Sequence, residues 1–172
     1  MTGTNMNLPN TLSLLRLCLV PFVLWALLEE RDGLALLLLV LAGLTDFLDG
    51  RLARRFGGTR LGRVLDPLAD RLLLSGVAVV LALRELLPGW AVAVLVARDV
   101  LALLGGLLYG SRLRVNRVGK AATAVLMLSV VLVMLQLERL GEIMFYAGIC
   151  LSLAAGVMYA SRFLRLAGGG EL

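Results

Sequence analysis

The 172-residue sequence has no histidine, only two cysteines and four prolines, and aromatic side chains make up just 6% of it. Without an imidazole, any metal site must be built from oxygen ligands, the hard donors that Mg²⁺ and Mn²⁺ take. Cys18 and Cys150 lie far apart, each inside an apolar run. That excludes a disulfide framework or a CxxC motif and predicts two small buried hydrophobes. The net charge of +5 does not translate into nucleic-acid binding, because no exposed basic face interleaved with aromatics can be drawn. The N-terminus lacks a basic leader and a small-residue cleavage site, so the first apolar run is expected to stay as a helix.

What the chain has in abundance is hydrophobicity. Apolar residues are 60% of it, above the roughly 45–50% of soluble domains, and they gather in runs such as 34–48, 72–83 and 90–108. The expected class is all-α: one polytopic membrane domain, 1–172, with about six transmembrane helices of ~20 residues each, matching a hydrocarbon core of ~30 Å. The spans are expected near 12–28, 33–53, 62–83, 89–110, 118–135 and 143–164, with Pro67 in the first turn of the third and a short turn at 137–142. Charge follows the same alternation. Arg51, Arg54, Arg55, Arg60 and Arg63, then Arg112, Arg114, Arg117 and Lys120, then Arg162 and Arg165 occupy one set of loops and the tail. The other loops hold Glu29, Glu30, Arg31 and Asp32, then Arg84 and Glu85, then Glu138, Arg139 and Glu142. The positive-inside rule therefore predicts a multi-pass cell-membrane protein with both termini cytoplasmic.

Against this background the stretch from Asp46 to Asp70, DFLDGRLARRFGGTRLGRVLDPLAD, is anomalous. It places four aspartates among residues apolar enough for lipid, where each carboxylate costs about 2.5–3.5 kcal/mol on insertion scales. On a helix, Asp46, Asp49, Gly50 and Ala53 share one stripe, and Gly62, Asp66 and Asp70 share another. Two such helices facing each other would aim four carboxylates at one point, and divalent metal is the natural counter-charge. Four carboxylates suit two ions ~3.5–4 Å apart, the arrangement that clamps attacking and leaving oxygens in phosphoryl transfer. Gly50 and Gly62 would let a bulky diphosphate approach the backbone, and Arg54 stands one turn on, placed for phosphate oxygens. Paired intramembrane acids also serve proton relays and cation pathways, which keeps a small cation or proton transporter as the alternative from another class. Either glycine could instead serve helix packing, and Arg51, Arg55, Arg60 and Arg63 read as topology and headgroup residues.

Asp46-x-x-Asp49-Gly50-x-x-Ala53-Arg54, followed by Gly62-x-x-x-Asp66-x-x-x-Asp70, resembles the signature of the CDP-alcohol phosphotransferases. One departure is visible: the spacer from Arg54 to Gly62 is one residue shorter than the family commonly has, at the Gly57-Gly58 linker. Pro9-Asn10-Thr11-Leu12-Ser13-Leu14-Leu15-Arg16 is similar to the opening of bacterial phosphatidylglycerophosphate synthases. Ala97-Arg98-Asp99-Val100 and Gly119-Lys120-Ala121-Ala122-Thr123 resemble segments shared with the related cardiolipin synthases. The resemblance implies a six-helix, usually dimeric membrane enzyme that takes a CDP-linked lipid. It implies Asp46, Asp49, Asp66 and Asp70 as ligands of two Mg²⁺ or Mn²⁺ ions, Asp70 also as general base, and Gly50, Ala53, Arg54 and Gly62 as the lining of the CDP site. The expected reaction moves a phosphatidyl group from CDP-diacylglycerol to glycerol 3-phosphate and releases CMP; phosphatidylglycerol and inositol phosphate are alternative acceptors. Lys120, Arg98 and Arg117 are the candidates to hold an acceptor phosphate. Arg98 lies inside an apolar run, so it needs an acid such as Asp99, or a ligand phosphate, beside it. The loop arginines could equally be topology residues.

Overall fold

Three helix ends in this chain are closed by tight backbone turns. The computed structural model describes the backbone of residues 8–56, 62–109 and 117–168, with side chains over 14–45, 68–104 and 118–158. Among the described residues there are six α-helices and no strand: α1 (Leu8–Leu28), α2 (Asp32–Phe56), α3 (Gly62–Leu83), α4 (Gly89–Tyr109), α5 (Arg117–Met134) and α6 (Glu138–Gly168). After α1, Glu30 N–H donates to the Leu27 carbonyl at 3.1 Å and Arg31 N–H to that of Ala26 at 2.8 Å, with Glu30 at φ 56°. After α5 the same pattern returns, Gln136 to Val133 and Leu137 to Leu132, both at 2.9 Å, with Gln136 at φ 63°. Both are Schellman caps, which satisfy the last carbonyls and reverse the chain within a few residues. Glu85, at φ 60°, closes α3 by donating to Ala82.

The caps account for the main departure from expectation. Residues 137–142 were expected to form a turn, yet α6 already starts at Glu138 and runs for 31 residues. The Gln136 cap completes the reversal early, and Glu138 stands in the first turn of α6, where its charge complements the helix dipole. Pro67 lies in the second turn of α3 rather than the first, since α3 begins at Gly62.

Packing divides the chain into two units, Met1–Leu81 and Ala82–Leu172. In the first, α1 and α2 form an antiparallel hairpin. Its core is built at helical spacing from Val20, Val23 and Leu27 on α1, Ala35, Leu39 and Ala42 on α2, and Leu73, Leu74, Val77 and Leu81 on α3. In the second, α5 and α6 lie antiparallel and very close. A Cβ added at Gly148 would stand 2.7 Å from Leu126 Cγ, and one at Gly141 would stand 3.0 Å from the Val133 backbone nitrogen. Leu126 and Val130 on α5 and Phe145 and Ala155 on α6 are buried within this unit. Small residues at a helix crossing let backbones meet where lipid offers no hydrophobic drive for association.

The outward faces are apolar too. Phe22, Trp25, Leu37, Leu44, Leu101, Ile143 and Val157 are all exposed. Cys18 and Cys150 are exposed as well, not buried as their apolar surroundings predicted. Apolar neighbours mean burial only when the surrounding medium is water, and a membrane helix can present such residues to lipid. Among the described residues one segment, Glu138–Met158, is long and apolar enough to cross a membrane; Leu14–Leu28, Asp32–Thr45 and Val118–Met134 are shorter apolar helices.

Candidate active site

The apolar stripes of the first unit end in charge. On α1, the buried positions Leu27, Val23 and Val20 continue in the same register to Arg16, whose side chain is only 1% exposed. On α3, Leu81, Val77 and Leu74 continue to Asp70 and then to Asp66. On α2, Ala35, Leu39 and Ala42 continue to Asp46, Asp49 and Ala53. A helix rises about 1.5 Å per residue, so Arg16 lies about 18 Å from the Leu28 end of α1. By the same measure Asp70 lies about 20 Å from Leu83, and Asp46 about 21 Å from Asp32.

The structure closes one contact at this level. Arg16 Nη1 donates to Asp70 Oδ1 at 2.6 Å, across 54 positions of sequence, from α1 to α3. The two partners differ in exposure: the guanidinium is buried, while the carboxylate is 46% exposed. Sequence reading of the residues alone treats Arg16 as an interruption of the first apolar run. The signal that finds it is the one applied to Arg98, an arginine in an apolar run that needs an acid beside it.

Of the residues singled out from sequence, Asp46, Asp49, Gly50, Ala53 and Arg54 lie on α2, and Gly62, Asp66 and Asp70 on α3. Both helices run unbroken through these positions, so the backbone has the register that the spacing requires. The side chains of Asp46, Asp49, Arg54 and Asp66 lie outside the described residues, as does the Gly57-Gly58 linker. Among the described residues no group of three or more potential metal-ligating side chains gathers. Asp70 is the one of the four aspartates described in full. Its half-exposed carboxylate is an oxygen donor of the type a hard cation takes, and it fits that use.

In the second unit, Arg98 Nη1 donates to Asp99 Oδ1 at 2.7 Å. Here the carboxylate is the buried member, 7% exposed against 21% for the arginine. Asp99 is thus the structural partner that Arg98 needed. Lys120, one turn into α5, is exposed; Arg117 begins that helix, and its side chain lies outside the described residues. At the far ends of the helices aromatics gather by the turns. Arg31 stacks over Trp25 at 5.4 Å, and Trp90 packs on Tyr146 at 5.8 Å.

The aspartate signature thus lies on unbroken helices with apolar outer faces, and comparison with known proteins gives the class. Residues 6–158 match the family model of CDP-alcohol phosphatidyltransferase, and the chain belongs to that family, whose members are membrane-associated and use divalent metal ions. The chain is 40% identical over 185 residues to a cardiolipin synthase (CMP-forming) of Streptomyces coelicolor, covering 96% of this chain and 86% of that one. It is 42% identical over 126 residues to a putative cardiolipin synthase of Mycobacterium tuberculosis, covering 69% of this chain and 59% of the relative. It is also 40% identical over 105 residues to a CDP-diacylglycerol–glycerol-3-phosphate 3-phosphatidyltransferase of Aquifex aeolicus, covering 59% of each.

Proposed function

We propose that residues 1–172 form one multi-pass membrane domain that transfers a phosphatidyl group from CDP-diacylglycerol to the hydroxyl of a glycerol-phosphate acceptor and releases CMP. The observation that carries this is the aspartate register on α2 and α3, which ends apolar stripes and includes the half-exposed, arginine-held Asp70. Asp46, Asp49, Asp66 and Asp70 would hold two divalent ions, Mg²⁺ or Mn²⁺, which when bound neutralise the diphosphate and polarise the bond to the CMP leaving group. Gly50, Ala53, Arg54 and Gly62 line the CDP side. The acceptor oxygen forms a bond to the lipid-side phosphorus, the bond from that phosphorus to CMP breaks, and the hydroxyl proton passes to Asp70.

Two acceptors have support. Phosphatidylglycerol comes first, because the match to a CMP-forming cardiolipin synthase runs over 96% of this chain. Glycerol 3-phosphate is the second reading, favoured by the Aquifex relative and by the cationic set Lys120, Arg98 and Arg117. The test is CMP release from labelled CDP-diacylglycerol by the purified chain with Mg²⁺ and each acceptor in turn; turnover with one alone identifies it. Cation flux in liposomes without CMP release from any acceptor would instead establish a transporter. Asp70→Asn should lower kcat by about 10²–10⁴-fold, the range of general-base contributions, while CDP binding is retained. Lost binding with retained turnover would overturn the base assignment. The family resemblance also carries the expectation of a homodimer, and the loop charges that of an active site facing the cytoplasm; light scattering of the detergent-solubilised chain measures the first.

A further inference from the structure

We infer that Arg16 is the positioning residue of Asp70: a buried guanidinium on α1 that sets the orientation of the carboxylate to which the proposed reaction gives the acceptor proton. The inference rests on that reading of Asp70. Three observations carry it.

The first is that an apolar residue at position 16 would simply extend the stripe of Val20, Val23 and Leu27. A buried ion pair seldom stabilises a fold more than well-packed apolar side chains of similar volume, so stability alone gives Arg16 little reason to be there. The second is the direction of the asymmetry. In the Arg98–Asp99 pair the acid is hidden and the two residues are neighbours in sequence, as local charge neutralisation requires. In the Arg16–Asp70 pair the cation is hidden and the acid presented, 1% against 46% exposed. The pair thus holds its carboxylate, not its cation, on the exposed side. The third is level: the 2.6 Å hydrogen bond sets Arg16 and Asp70 side by side, and across the Glu29–Arg31 turn Asp46 lies about 21 Å into α2 where Arg16 lies about 18 Å back along α1. The guanidinium, held by burial, directs a charge-assisted hydrogen bond at Oδ1 and so restrains where that carboxylate oxygen lies. Lysine keeps the charge without the planar fork.

The test is steady-state kinetics of the full chain in nanodiscs with CDP-diacylglycerol, Mg²⁺ and the acceptor that supports turnover. A misplacement of about 1 Å costs on the order of 10²-fold in rate. Arg16→Met should therefore lower kcat about a hundredfold, with the KM for CDP-diacylglycerol and CMP binding changed less than threefold. Arg16→Lys should recover part of that loss. Unchanged kcat in Arg16→Met overturns the inference, and so does a loss that appears wholly in the donor KM, which would make Arg16 a donor-binding support. If Arg16→Met does not fold, Arg16→Lys decides: at least a tenfold fall in kcat in the folded protein supports positioning, and a wild-type kcat overturns it. Failure of the underlying reading looks different. A wild type that releases no CMP with either acceptor, or an Asp70→Asn variant as active as wild type, removes the base assignment itself.

Discussion

Arg16 and Asp99 are the two most buried charged side chains described, and each is held by a partner that reaches more open space. The cost of breaking each pair should therefore depend on which member is removed. Taking away the exposed member strips the buried charge of one close ion-pair contact, which costs up to about 3–5 kcal/mol; taking away the buried one leaves a charge that reaches more open space. Asp70→Leu should thus lower thermal stability more than Arg16→Met, whereas Arg98→Met should lower it more than Asp99→Leu. Thermal unfolding in detergent measures the four variants, and the same order in both pairs would contradict the burial asymmetry. At this scale the sequence was legible in part. The four aspartates stand out because an acid in an apolar run demands a reason, and Arg98 was matched to its neighbouring acid by the same logic. The partner of Arg16 could not be read off, since 54 positions separate it from Asp70 and only tertiary packing joins them.

Helices and their ends obey shorter-range rules. The apolar runs mark all six helices, and most boundaries fall within a few residues of those expected. The start of α6 was not, because polar residues at 137–142 look like a loop until the backbone geometry at Gln136 is known. No composition signal marks a left-handed glutamine. That conformation costs a residue with a Cβ about 1–2 kcal/mol, and glycine escapes it. Gln136→Gly should therefore raise stability by about 1 kcal/mol, read as a higher thermal midpoint. The α5–α6 seam makes the opposite demand. Gly141→Ala would push a Cβ against the backbone at Val133 and Ser129, and overpacking of this kind costs about 1–3 kcal/mol. Gly156 has nothing within 4 Å of such a Cβ, so Gly156→Ala should be neutral or gain up to about 1 kcal/mol from helix propensity.

For the molecule as a whole, the medium decides what burial means. Composition points to a lipid environment, but it does not tell which apolar side chains are buried within the protein and which are left exposed; Cys18 and Cys150 are exposed. In sealed vesicles a charged, water-soluble maleimide should leave both cysteines unlabelled, while the same reagent should label both once the chain is unfolded in detergent. Labelling of either in the sealed vesicles would argue against the multi-pass arrangement. Trp25 and Trp90, exposed within a turn of the helix ends, fit the aromatic girdle that membrane proteins carry at the headgroup level.

The two Schellman turns, Glu29–Arg31 and Leu135–Leu137, have a consequence for biogenesis. A linker of three residues spans at most about 10 Å fully extended, far less than the ~30 Å hydrocarbon thickness. While either turn stays intact, one helix cannot cross the bilayer and leave the other behind on the starting side. In the multi-pass arrangement proposed above, each pair would therefore enter the lipid together, as a folded-back unit, and an insertion machine would hold the first helix until the second had been synthesised.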